Sequence, residues 1–240
     1  MAYNEKLLFG GIDSLTYGVY ILDGKVDNTA NKDMTHITVP GRSGTLVIDN
    51  GRFDNVTVSY TCAIVDDAKS DMHAYIAELS ALKGYQRLED DIYDEHYRMG
   101  VFQGQVNPTM FDERNKSIFE LSFLCKPQKY LKSGEEGVSF TGNRTFSNPT
   151  PFDAKPIISV YGTGTGTITI GNSQITINSN PGNMVIDCET EDAYNSQSKL
   201  SYNSRIELSG NDFPKLHKGD TTVSLSSGLQ VTITPRWWTI

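Results

Sequence analysis

The sequence predicts a mainly β protein of two domains, the first of which carries one α-helix. Three observations point there. Apolar and polar residues alternate along much of the chain, the period of a half-buried strand. One window alone has helical spacing. The composition then changes sharply in the middle of the chain.

In chain order, Leu7-Leu8-Phe9 before Gly10-Gly11 reads as a short strand and turn, and residues 17–22 as the next strand, ended by Asp23-Gly24. Residues 25–33 are polar and read as a loop. Met34 to Val39 and Leu46 to Ile48 are two strands around Pro40, Gly41, Arg42, Ser43 and Gly44. Pro40 fixes its own φ, the two glycines open backbone angles closed to other residues, and Arg42 is the only charge presented. This stretch is either a plain hairpin loop or a loop that docks into a partner.

Asn50-Gly51 is a turn signal. Val56, Val58, Tyr60, Cys62 and Ile64 then alternate with polar or small residues in the clearest strand of the chain, closed by Asp66-Asp67. The helix is expected at about 70–83. Ser70 is its N-cap, Met72, Tyr75, Ile76, Leu79 and Leu82 form its apolar face, and Gly84 closes it. Two more strands are expected, at 101–106 and at 118–125, with Phe119, Leu121, Phe123 and Cys125 on one face and Lys126-Pro127 as the stop.

Residues 129–148 are polar and rich in Gly, Ser and Asn, and Asn148-Pro149-Thr150-Pro151 breaks regular structure twice. The expected division is a first domain at 1–137, a linker at 138–155 and a second domain at 156–240. Residues 1–137 hold 14 basic and 21 acidic side chains, net -7, and residues 138–240 hold 7 and 8, net -1. The second part is all short strands and turns, at a spacing that suggests a β-sandwich.

The totals exclude some classes. With a net charge of -8 and a pI near 5.0, the chain is poorly suited to wrapping nucleic acid or coating an anionic membrane. Cys62, Cys125 and Cys188 lie far apart in apolar runs, which argues against a disulfide framework or zinc site and for small buried hydrophobes. No apolar run is long enough to span a membrane, and no secretory signal is expected at the N-terminus.

Candidate chemistry is sparse. The acidic cluster Glu89, Asp90, Asp91, Asp94 and Glu95 with His96 lacks the spacing of a calcium loop. Gly162, Gly164 and Gly166 precede an alternating Thr/Ile strand, whereas a phosphate loop precedes a helix. His36, His73, His96 and His217 are scattered. Trp237 and Trp238 could stack on sugar rings, but they follow directly on a core strand, so structural anchoring is the preferred reading. No catalytic residue, cofactor or metal is assigned.

One pattern spans nearly the whole chain. It comprises Val39-Pro40-Gly41-Arg42-Ser43-Gly44-Thr45-Leu46, Asp49-Asn50-Gly51-Arg52-Phe53, the strand at 55–65, the short helix and Cys125-Lys126-Pro127. It continues with Asn148-Pro149-Thr150-Pro151-Phe152, Lys155-Pro156, Asp187-Cys188 with Ala193-Tyr194, Asn211-Asp212-Phe213-Pro214 and Pro235-Arg236-Trp237-Trp238. This resembles the distal tail protein (Dit) family of long-tailed bacteriophages and prophages of Gram-positive bacteria. The resemblance implies an N-terminal β-sandwich-like domain with a helix and a C-terminal galectin-like, carbohydrate-module-like β-sandwich. It implies a non-enzymatic virion protein whose N-terminal domains form a homohexameric ring at the distal end of the tail. That ring would join the tail tube protein to the tail-associated hub protein, with the receptor-binding and tape-measure proteins as further partners, and DNA would pass through it.

On this reading Pro40, Gly41, Arg42, Ser43 and Gly44 are ring-interface residues, and the docking interpretation of their loop is preferred. The charge of residues 1–137 suggests an acidic lumen that repels DNA phosphates. The chain is short for the family, with no room for a large inserted sugar-binding module. The alternative function is a carbohydrate-binding module using Trp237 or Trp238 against host cell-wall sugars.

Overall fold

The structure is a computed structural model and describes residues 6–22, 25–64, 72–92, 94–107, 109–110 and 117–240. Met1–Lys129 with Ile240 form one compact unit, and Tyr130–Thr239 form a second. The strands of the first are β1 (Leu7–Phe9), β2 (Ile12–Asp13), β3 (Val19–Ile21), β4 (Val26–Asp27), β5 (Lys32–Thr38), β6 (Thr45–Phe53) and β7 (Val56–Ile64). After helix α1 (Met72–Ala81) come β8 (Gln86–Asp90), β9 (His96–Phe102), β10 (Thr109–Met110) and β11 (Ser117–Leu131), which crosses into the second unit.

The main sheet runs β2-β1-β8-β9-β11-β7-β3, with β4 also beside β7 and β10 beside β11. Strands β7 and β11 are its spine. Their antiparallel register sets Phe119 opposite Cys62, Leu121 opposite Tyr60, Phe123 opposite Val58 and Cys125 opposite Val56. All eight side chains are buried, so the alternation in the sequence becomes one apolar face. Burying a side chain such as Leu121 or Phe123 contributes about 1.5–3 kcal/mol. Helix α1 adds Tyr75 and Leu79, one turn apart, to the same core. Its described span is shorter than the expected 70–83, and the proposed cap Ser70 lies outside the described residues. Gly84 follows at φ 70°, as a helix-ending glycine should.

In the second unit, β12 (Val138–Phe140), β13 (Arg144–Asn148), β14 (Ile157–Tyr161), β15 (Gly164–Ile170), β16 (Ser173–Asn180) and β17 (Met184–Asp187) come first. They are followed by β18 (Asp192–Asn195), β19 (Ile206–Leu208), β20 (Gly219–Leu225), β21 (Gln230–Thr234) and β22 (Trp238–Thr239). Two five-stranded sheets, β12-β21-β14-β17-β18 and β13-β20-β15-β16-β19, enclose a core that includes Ile158, Ile168, Ile175, Ile186, Val223 and Ile233. This is the β-sandwich expected for the second half.

The division of the chain differs from the sequence expectation at two places. The stretch 138–155 is not a linker, because β12 and β13 are edge strands, one in each sheet of the sandwich. Ser139, Arg144, Thr145 and Ser147 are on the outer face of those strands, while Phe140 and Phe146 pack against the core with ring centroids 5.8 Å apart. The Asn148-Pro149-Thr150-Pro151 segment is ordered by the Asn148 carboxamide, which donates to the carbonyls of Phe152 (2.8 Å) and Leu216 (3.1 Å).

The boundary instead falls inside β11, after Lys129. That strand passes through Pro127, which sits beyond Cys125–Val56, the last pair of the β7 ladder, where no N–H is needed for that ladder.

Candidate assembly interface

Between β4 and β7 the chain leaves the sheet as a separate two-stranded ribbon, β5 with β6. Thr35 pairs with Ile48, His36 with Val47, Ile37 with Leu46 and Thr38 with Thr45. Paired residues share a face. One face therefore carries Thr35, Ile37, Leu46 and Ile48, and the other Met34, His36, Thr45 and Val47. Both faces are open to solvent. Met34 is 44% exposed, Ile37 42%, Leu46 43%, Val47 49% and Ile48 44%. An isolated hairpin is marginal in water, and exposed aliphatic surface on both of its faces makes this ribbon the candidate interface.

The root half of the arm is polar. Lys32 pairs with Asp49 at 3.0 Å, and Arg52 pairs with Asp33. The Asn50 carboxamide donates to Asp33 (3.0 Å) and to the Thr35 hydroxyl (3.1 Å). These bonds hold the Asp33 carboxyl below its ordinary value, Asn50 contributing most and Arg52 next. The Gly51 N–H and then Lys32 do the same for Asp49. Asn50-Gly51, a turn signal in the sequence, lies inside β6. Gly51 has φ 72° and its N–H donates to the Asp49 side chain at 2.9 Å. The register shifts here, so the signal marks an irregularity in a long strand and not its end.

At the tip, the Arg42 N–H donates to the Val39 carbonyl at 3.2 Å. Pro40 and Gly41 are the two central residues of this turn, and Gly41 at φ 78° supplies the positive angle that a type II turn requires. Gly44, at φ 82°, immediately precedes β6. A Cβ on either glycine would meet only open space, so both are there for their angles and not for packing. All five predicted interface residues, Pro40 to Gly44, are exposed. The Arg42 guanidinium has no partner among the described residues.

Beneath the root lies a buried charge knot. The Arg98 guanidinium bonds the Asp27 carboxylate at 2.8 Å and donates to the carbonyls of Pro127 (3.0 Å), Lys126 (3.3 Å) and Asn28 (3.5 Å). Lys129 reaches Asp27 at 2.9 Å, and Lys25 bonds Asp90 at 2.7 Å. The Tyr60 hydroxyl donates to Asp90 at 2.7 Å. Burial pushes the Asp27 pKa up, but the Lys129 hydrogen bond and the charges of Arg98 and Lys25 outweigh it and hold the group below 3.8. Burial, then Asp90, pushes Tyr60 well above the usual phenol range. Sequence reasoning missed the knot because its members lie on or beside β4, β7, β8, β9 and β11 and share no spacing. The reach of the arm was readable in part: Leu46-Val47-Ile48 is apolar without alternation, so it has apolar side chains on both faces.

The other candidates are placed as follows. Trp237 is buried in the core of the sandwich, and its carbonyl accepts from the Leu131 N–H at 2.8 Å. The Trp238 ring stacks on Phe152 at 4.3 Å, and its indole N–H donates to the Asp153 carbonyl at 2.9 Å. Trp237 is thus enclosed by the core, and one ring face of Trp238 is taken by Phe152. Asp91, Asp94 and Glu95 are exposed, whereas Asp90 belongs to the knot. Among the described residues no three His, Cys, Asp or Glu side chains are grouped to hold a metal. Gly164 and Gly166 lie in β15, which is followed by β16 and not by a helix. Burial pushes the thiols of Cys62, Cys125 and Cys188 up to about 12. No helix among the described residues is long and apolar enough to cross a membrane.

A helix-bearing β unit with a projecting arm, followed by a β-sandwich, is a fold shared with solved phage hub and baseplate chains. One solved structure that the chain resembles is that of SPP1 Dit (gp 19.1), described as a paradigm of the hub adsorption apparatus in Gram-positive infecting phages. The likeness covers 99% of this chain and 100% of that one, with a TM-score of 0.71 at 11% identity. Chains of the phage P2 baseplate in its activated conformation are also similar. The calcium form gives a TM-score of 0.55 at 8% identity, and the strontium form 0.54 at 9%; each match covers 96% of this chain and 97% of that one. At these identities the likeness is one of fold. No protein-family model and no curated protein matches the chain.

Proposed function

We propose that the chain is a structural protein of a phage virion, a hub subunit at the distal end of a long tail. Copies assemble head to tail through the β5–β6 arm into a closed hexameric ring. The ring joins the tail tube to tail-associated and receptor-binding proteins and lets DNA pass, and it performs no enzyme chemistry. The observation that carries this is the arm, exposed and aliphatic on both faces. A two-sided apolar ribbon needs cover on two sides, which a neighbouring copy can supply. Heterologous contacts of this kind generate rings when the rotation closes. The full-length likeness to hub and baseplate chains supports the same reading.

Light scattering on the purified chain tests it. A ring gives about six times the 26.6 kDa chain mass. A stable monomer across the accessible concentration range would overturn it.

A further inference from the structure

The root of the arm opens into a cleft of about 420 Å³ lined by Asn28, Thr29, Asn31, Asn55, Val56 and Thr57. Apart from Val56, every lining side chain is a carboxamide or a hydroxyl. The Asn55 carboxamide donates to the Tyr85 hydroxyl at 3.2 Å. The side chains of Asn28, Thr29, Asn31 and Thr57 have no hydrogen-bond partner among the described residues. Asp54, next to Asn55 in the chain, is exposed and forms no ion pair among them. The floor is rigid, because Arg98 holds the Asn28 carbonyl and the Asp54 N–H bonds the Asn31 carbonyl at 2.9 Å.

We propose that this cleft receives the arm tip of a second copy, with Arg42 and the turn from Val39 to Arg42 entering between Asn28, Asn31 and Thr57. This deepens the ring reading and rests on it. The chemistries match. A guanidinium has five donors and no acceptor, and the cleft offers carboxamide and hydroxyl oxygens, with Asp54 next to its lining residue Asn55 in the chain. Arginine is more weakly hydrated than lysine, so it gives up water to carboxamide and hydroxyl partners more readily.

The geometry names the occupant. The seven residues of β5 place the tip about 23 Å from the root, so a hairpin cannot deliver its tip to its own cleft. Each copy thus carries one tip and one cleft at opposite ends of the arm, a head-to-tail pair that recurs around a ring.

Cysteine cross-linking tests this on the full chain. The native cysteines are buried and stay silent. Ser43→Cys with Thr57→Cys should oxidise to covalent multimers larger than a dimer on a denaturing gel, since a seated tip brings the pair within disulfide range. Ser43→Cys with Asn172→Cys, in the exposed turn between β15 and β16 of the second unit, should give none. Multimers in solution without a cross-linked ladder would overturn the cleft as receptor and leave the ring standing. A wild-type monomer without a ladder would overturn both. A charge swap gives a second readout. Arg42→Glu and Asn31→Lys should each weaken association at least tenfold, and together they should recover most of it. Failure of the pair to recover would overturn the contact.

Discussion

Arg98 and Asp27, 71 residues apart in the chain, meet at 2.8 Å beneath the root of the arm. Arg98 is 5% exposed, and its two terminal nitrogens also donate to the carbonyls of Lys126, Pro127 and Asn28, so the pair is desolvated and closely bonded. Such a pair is weak evidence for net stability, but removing one partner leaves a buried charge uncompensated. Arg98→Met should therefore cost about 3–5 kcal/mol by urea denaturation. Lys129→Met should cost less, because that ammonium is more exposed. Equal losses in the two variants would contradict the central place given to Arg98.

The same knot sets an acid limit. The folded Asp27 pKa lies below its unfolded value of 3.8, so its contribution is present above pH 3.8 and is lost as pH falls through the folded value. Urea midpoints measured between pH 2 and pH 7 should fall at the acid end. Asp27→Asn should be less stable at neutral pH and should flatten that acid slope. An unchanged slope in the variant would place the acid sensitivity elsewhere.

Trp237 should behave as a core residue and not as a ligand platform. Trp237→Ala should destabilise by about 3–5 kcal/mol through the cavity it leaves. Gly134→Ala should also destabilise, since a Cβ there would clash with the Trp237 backbone nitrogen. A well-folded Trp237→Ala protein with altered affinity for cell-wall sugar fragments would instead favour the carbohydrate-binding alternative.

The net charge of -8 predicts that the chain does not retain duplex DNA at physiological salt. Electrophoretic mobility shift should show no complex. A salt-sensitive complex would contradict the idea of an acidic passage for the genome.

Much of the fold was legible because its signals are local. The alternation from Val56 to Ile64 and from Phe119 to Cys125 translates directly into buried faces. What misled were turn signals with tertiary answers. Pro127 looked like a stop, yet β11 carries it past the end of its ladder with β7, and the polar run after it became edge strands whose few aromatics point inward. At the candidate interface the turn chemistry of Pro40 to Gly44 was readable, since positive-φ glycines have a sequence signature. That the flanking strands stand clear of any core was not, because a hydrophobic strand reads the same whether its partner is its own core or another molecule.

The central claim is that the arm makes the assembly. It is tested most directly by the solution mass of Ile37→Lys/Leu46→Asp, a cross-strand pair of opposite charge, beside wild type. Both positions are already exposed, so substitution should leave the fold stability within about 0.5 kcal/mol. The account predicts a ring of about 160 kDa for wild type and a folded 26.6 kDa monomer for the variant. A variant that keeps the wild-type mass would contradict it.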